Sequence, residues 1–141
     1  MDDSPPSIEM LRKIPLFRGL EDDGLKAIAN LSKAMLFREG ESIVKEGDAG
    51  LGFYIIAEGQ AVVKRKKRVI GKIERGGFFG EMALFDDLPR SAEVVATEPT
   101  KCFVILRWNF WSLVSKNTNV VKGLLREMAR RLRATNEALE M

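Results

Sequence analysis

Gly76-Gly77-Phe78-Phe79-Gly80-Glu81-Met82-Ala83-Leu84-Phe85-Asp86-Asp87-Leu88-Pro89-Arg90-Ser91-Ala92 is the stretch around which the rest of the chain is read. Two glycines end an apolar run, and a third, Gly80, opens a short segment of good helix formers, Glu81 to Leu84. That segment stops at Asp86-Asp87-Leu88-Pro89, and Ser91 to Thr97 then reads as a strand. A glycine turn into a short helix leaves backbone N–H groups unpaired and pointing one way, and the helix dipole adds positive potential there, which suits an anion. Arg90 returns beyond the turn as a planar cation able to hold a phosphate through two hydrogen bonds. Glu81 brings a lone carboxylate, suited to a sugar hydroxyl pair as acidic residues are in dinucleotide sites. The combination describes a small sugar-phosphate ligand.

Single Gly-Glu or Pro-Arg pairs are ordinary turn and surface features; the ordered string is what carries information. Phe79-Gly80-Glu81-Met82-Ala83-Leu84 followed by Pro89-Arg90-Ser91-Ala92 resembles the phosphate-binding cassette of the cyclic nucleotide-binding domain family. The resemblance extends over nearly the whole chain. It implies that Arg90 pairs with the cyclic phosphate, with the Ser91 hydroxyl and the N–H groups of Met82, Ala83 and Ala92 completing the cradle. Glu81 then accepts from the ribose 2′-hydroxyl, and Gly80 lets the backbone approach closely. Phe79, just before the cassette turn, joins the same ligand-binding set. Apolar walls for a purine are expected from Val62-Val63 and from Ile70 or Ile73. Ser91 serves either a guanine amino group or the phosphate alone.

Length and composition bound the alternatives. At 141 residues and 45% hydrophobic content, one well-formed core is expected, with no second domain of ordinary size. The expected layout is N-terminal helices over 1–32, a β-roll over 33–106 with the cassette at 78–92, and C-terminal helices over 107–141. The chain has no histidine, which removes the commonest general base and metal ligand, and one cysteine, Cys102, too few for an internal disulfide or a cysteine-clustered metal site. Cys102 lies in the apolar run Cys102 to Leu106 and reads as a buried thiol. With Glu81 and Asp86-Asp87 the only carboxylates near the cassette, an enzyme is the weakest reading, and no cofactor or metal is called for. No segment reaches the ~18 apolar residues of a membrane span, and Met1-Asp2-Asp3 is no signal peptide, so a soluble, cytoplasmic protein is expected. A net charge of +3 does not by itself argue for nucleic acid.

Along the chain, Ser7 caps a short helix carrying Ile8, Leu11 and Ile14, and Ile14 to Leu20 forms an apolar turn. Glu21-Asp22-Asp23 begins a second helix with Leu25, Ile28, Ala29 and Leu31 at helical spacing. From Lys33 the period changes. Met35 to Phe37, Ser42 to Lys45, Gly52 to Ala57, Gln60 to Lys64 and Val69 to Ile73 are short runs between glycines. Phe78-Phe79, Ser91 to Thr97 and Cys102 to Leu106 complete an all-β pattern. Glu58-Gly59 predicts a tight hairpin, and Glu98-Pro99-Thr100-Lys101 the last turn. The family's eight-stranded antiparallel β-roll, a jelly-roll-like barrel with flanking helices, has this order. The fold class is mainly β with flanking helices (α+β).

Lys64-Arg65-Lys66-Lys67-Arg68 is five basic residues in a row between two strands. Without interleaved aromatics it reads as a solvated hairpin, and neither direct nucleic-acid contact nor a membrane is expected. After the roll, Asn109 to Val114 forms a short helix, Asn117-Thr118-Asn119 a break and cap, and a long helix runs from about Val120 to Glu140. Along it Val121, Leu125, Met128, Leu132, Thr135 and Leu139 recur at steps of 4, 3, 4, 3 and 4, a coiled-coil seam. Ala129 to Glu137 resembles the helix that dimerises in the catabolite activator branch of the family and lends a hydroxyl, here Thr135, to the adenine.

The resemblance therefore implies a regulatory module that binds a cyclic nucleotide, cAMP in preference to cGMP, and rearranges its helices. A homodimer through the last helix and an effector protein are its implied partners. The competing readings are a dimerisation domain of the same fold that binds no nucleotide, and the sensor part of a transcription regulator without its DNA-binding domain.

Overall fold

The computed structural model describes residues 1–48, 52–80 and 92–140. In chain order the elements are α1 (Ile8–Arg12), a 3-10 turn (Pro15–Phe17), α2 (Asp22–Leu31), β1 (Ser32–Phe37), β2 (Ser42–Val44), β3 (Gly52–Glu58), β4 (Ala61–Arg65), β5 (Arg68–Ile73), β6 (Phe78–Phe79), β7 (Glu93–Ala96), β8 (Thr100–Leu106), α3 (Arg107–Lys116) and α4 (Thr118–Glu140). The strands form two antiparallel four-stranded sheets, ordered β1-β8-β3-β6 and β2-β7-β4-β5.

Local chemistry sets the helix ends. The Ser7 hydroxyl accepts from Met10 N–H at the start of α1, which stops before Ile14. Ile14 is nevertheless buried in the same cluster as Leu11. Arg12 donates to the Asp22 carboxylate at 2.7 Å and ties α1 to the first turn of α2. The Ser32 hydroxyl donates to Ile28 carbonyl at 2.6 Å where α2 turns directly into β1.

The sheet β1-β8-β3-β6 is the middle layer, and strand periodicity sorts its side chains to two cores. Phe53, Ile55, Phe78, Phe103 and Ile105 face the helices. Ile56, Phe79, Cys102 and Val104 face the second sheet. A strand buried on both sides reads as one continuous apolar run, which is why Cys102 to Leu106 shows no alternation. Burial pushes the Cys102 thiol up to about 12, leaving it an inert core group.

Two turns differ from the sequence reading. Thr100 and Lys101 belong to β8, paired with Phe37 and Leu36 of β1; Lys101 is buried, its Nζ 3.5 Å from the Asp2 carboxylate. Glu58-Gly59 is no hairpin, because β3 and β4 lie in different sheets. The chain changes layer there. Gly59 has φ +94, and a Cβ on it would lie 2.5 Å from both the Pro99 carbonyl oxygen and the Thr100 Oγ1. Gly59→Ala is expected to destabilise the fold by about 2 kcal/mol or more, from left-handed strain plus backbone overlap, read from the denaturant midpoint. An unchanged midpoint would show that the corner relaxes freely.

At the C-terminal end, α3 runs longer than expected, and Asn117 alone separates it from α4; its side-chain amide donates to the Leu113 carbonyl. The buried stripe of α4 is Val120 and Leu124, with Gly123 against the 3-10 turn, where a Cβ would lie 2.4 Å from the Leu16 carbonyl oxygen. Leu125, Leu132 and Leu139, on the predicted seam, are 62%, 61% and 79% exposed. The leucines of the seam therefore lie on a face beside the buried stripe, in water.

Candidate functional site

The frame of the site is built by β6 and by the inner faces of β4 and β5. β6 has only two residues, paired with Tyr54 and Ile55 of β3. Successive strand residues point to opposite faces, so Phe78 enters the helix-side core and Phe79 the inter-sheet core. Gly80 follows at once with φ +93, a conformation that residues with a Cβ adopt only under strain. The predicted cassette residues Glu81, Met82, Ala83, Arg90 and Ser91 lie outside the described residues. The chain is described again from Ala92, which is half-buried and leads into β7.

Beside Gly80 stands an apolar wall. Val63 on β4 faces Val94 of β7, and Ile73 on β5 faces Ala61 of β4. Both side chains are partly buried against the cluster that holds Phe79. The Tyr54 ring stacks on Phe79 with centroids 5.0 Å apart and planes 6° from parallel. Val63, Ile73 and Phe79 thus border one cluster. Of the Ile70–Ile73 pair, Ile73 is the inward one, since Ile70 is 53% exposed. Tyr54 went unrecognised in the sequence, although its two-residue spacing from Ile56 places both on one face.

α4 packs on the other face of the sheet that holds β6, the helix side that Phe78 enters. Arg131 places its guanidinium 4.6 Å from the centre of the Phe78 ring. Glu127 accepts from Arg130 and Arg131. The Arg130 hydrogen bond, opposed by partial burial and reinforced by the charges of both arginines, holds the Glu127 carboxyl below its usual range. Between α4 and the β5–β6 turn lies a cleft of about 1150 Å³. Its described lining carries seven cations (Arg18, Lys72, Arg75, Arg126, Arg130, Arg131, Arg133) against three carboxylates (Glu74, Glu127, Glu137), a potential that favours an anion. Thr135 is exposed one turn beyond Arg131, and its hydroxyl donates to the Arg131 carbonyl at 3.0 Å. It is not among the described residues lining this cleft. Sequence reasoning missed the Arg131–Phe78 contact, since nothing in either residue's neighbourhood signals a pairing across the fold.

Among the described residues no group of three metal-ligating side chains could hold an ion, and no helix is long and apolar enough to cross a membrane.

The architecture is a two-layer β-roll with helices packed on one face, with a left-handed glycine beside an apolar wall. The model of the cyclic nucleotide-binding domain matches residues 34–117, more than half of the chain, and the chain belongs to that family, of the kind found in protein kinase A regulatory subunits and catabolite activators. A cAMP-dependent protein kinase regulatory subunit of Mucor circinelloides f. lusitanicus is 34% identical over 116 residues, covering 79% of this chain and 27% of the relative. A cGMP-dependent protein kinase of Eimeria tenella is 38% identical over 99 residues, covering 70% of this chain and 10% of the relative. The crystal structure of the Thermus thermophilus catabolite activator protein superposes with a TM-score of 0.82 at 30% identity, covering 89% of this chain and 62% of that one. The chain thus spans only a minor part of the two kinase relatives' length.

Proposed function

We propose that the chain is a cAMP receptor module that signals through α4. The observation that carries this is Gly80 at φ +93, ending β6 at the edge of the Tyr54–Val63–Ile73–Phe79 wall. It supplies the turn that a phosphate cradle needs where a purine would find an apolar surface. In this reading Arg90 and Ser91 hold the cyclic phosphate with N–H groups of Met82, Ala83 and Ala92, and Glu81 takes the ribose 2′-hydroxyl. The chain performs no catalysis. Any push on Phe79 when the cassette fills is shared with Phe78 one residue away, and Phe78 carries Arg131. That linkage supplies a route from ligand to α4.

Preference for cAMP rests on Thr135, whose hydroxyl oxygen would accept from the adenine amino group while its own hydrogen stays on the Arg131 carbonyl. A site built to pair one base edge rejects a base lacking it, because a buried group is left unpaired. The exposed Leu125, Leu132 and Leu139, seven residues apart, support a homodimer through α4; the same surface would serve the second reading, a dimerisation domain that takes no nucleotide. Calorimetric titration with cAMP and cGMP separates the two. Saturable binding of cAMP, weakened in Thr135→Val while cGMP binding stays nearly unchanged, is expected; heat-silent titrations with both nucleotides would remove the receptor reading. A 2′-deoxy analogue should lose affinity for the native chain but not for Glu81→Ala. In light scattering, Leu132→Asp should turn a dimer into a monomer, and a native monomer with and without nucleotide would refute the shared seam.

A further inference from the structure

We propose that the tip of the β4–β5 hairpin docks on an anionic lipid surface. The sequence alone makes Lys64 to Arg68 a solvated turn; two features of the structure change that reading. First, Arg65 pairs with Arg68 across a two-residue turn in which Lys66 and Lys67 have φ 51 and 67. Both positions favour Asn or Gly, and lysine there is a strained choice that stability does not explain. Second, the pairing slips behind the tip. Val63 faces Gly71 and Lys64 faces Val69, so Ile70 is an extra residue on β5. Such a bulge redirects side chains that a regular strand would send to opposite faces. The result is two adjacent aliphatics in water, Val69 at 61% and Ile70 at 53% exposure, next to the exposed cations.

The arrangement is a convex, basic tip with an aliphatic flank. On an anionic bilayer, cations sit among the headgroups while neighbouring aliphatics enter the acyl boundary. Strand addition fits less well, although β5 is a sheet edge, because bulges and edge charges oppose pairing. Single-stranded nucleic acid fits less well because residues 65–70 include no aromatic for base stacking. Glu46, which accepts from Lys66 N–H at 3.2 Å, braces the turn and is the acidic group at its backbone among the described residues. The tip is separate in sequence from the cassette, so docking stands whether or not nucleotide binds.

The test is co-sedimentation of the full chain with phosphatidylcholine vesicles, with and without phosphatidylserine. Binding is expected only with phosphatidylserine, and weaker in high salt. Lys66→Asn with Lys67→Gly, which relaxes the turn and should melt no lower than the native chain, is expected to bind about 25-fold more weakly, at about fivefold per cation. Val69→Ser with Ile70→Ser should also weaken binding and make the remainder fully salt-sensitive. Equal binding to both vesicles, no binding, or native-like binding by the lysine variant would overturn the proposal. So would tighter binding of an oligonucleotide than of phosphatidylserine vesicles, which would make the tip a nucleic-acid site. Calorimetry with cAMP on the lysine variant, expected to match the native chain, keeps this result distinct from the receptor reading.

Discussion

Phe53→Ala is expected to destabilise the fold by about 3–5 kcal/mol, the range for emptying an aromatic site in a packed core. Phe53 is 1% exposed on β3. Its ring centre lies 5.4 Å from that of Phe78 and 5.4 Å from that of Phe110, so it joins the strand before Gly80 to α3. Removing it opens a cavity between sheet and helices and leaves Phe78 without support beneath Arg131. In a chain of this size the melting temperature should fall by roughly 10 °C or more. Phe53→Leu, which retains much of the volume, should cost about half as much or less. A loss below about 1 kcal/mol for the alanine variant would mean that helices and sheet collapse onto the gap, and that the aromatic bridge is not what holds them.

Arg90→Ala is expected to weaken cyclic nucleotide binding by at least tenfold while the unliganded protein melts as before. A hydrogen bond to a charged group contributes ~1.5–3 kcal/mol net, and each 1.4 kcal/mol is a factor of ten. Arg90→Lys keeps the charge but loses the two-pronged geometry, so an intermediate affinity is expected. Native affinity in Arg90→Ala would remove the phosphate assignment. A large drop in melting temperature would show instead that Arg90 belongs to the fold.

The sequence alone determined what depends on short-range order: the existence and order of the strands, the helices at both ends, Gly80 as a special turn and the family of the cassette. Periods of two and 3.6, helix caps and glycines are local properties, so they are readable along the chain. The Ser7 cap and the face of α2 carrying Leu25 and Ile28 follow from neighbours within a few residues. The tertiary structure decided what depends on residues distant in the chain. Glu58-Gly59 has the composition of a hairpin, yet it crosses between layers because β8 and β6 already flank β3, while β7 and β5 flank β4. Val69 joins Ile70 in water because a slip in pairing with β4 reset the alternation. The seam of α4 looks uniform in sequence, but the fold buries the neighbouring face, Val120 and Leu124, and leaves Leu125, Leu132 and Leu139 in water. The Arg131–Phe78 contact spans more than fifty residues. Contacts of that range are set by where whole elements pack, and packing has no period along the chain.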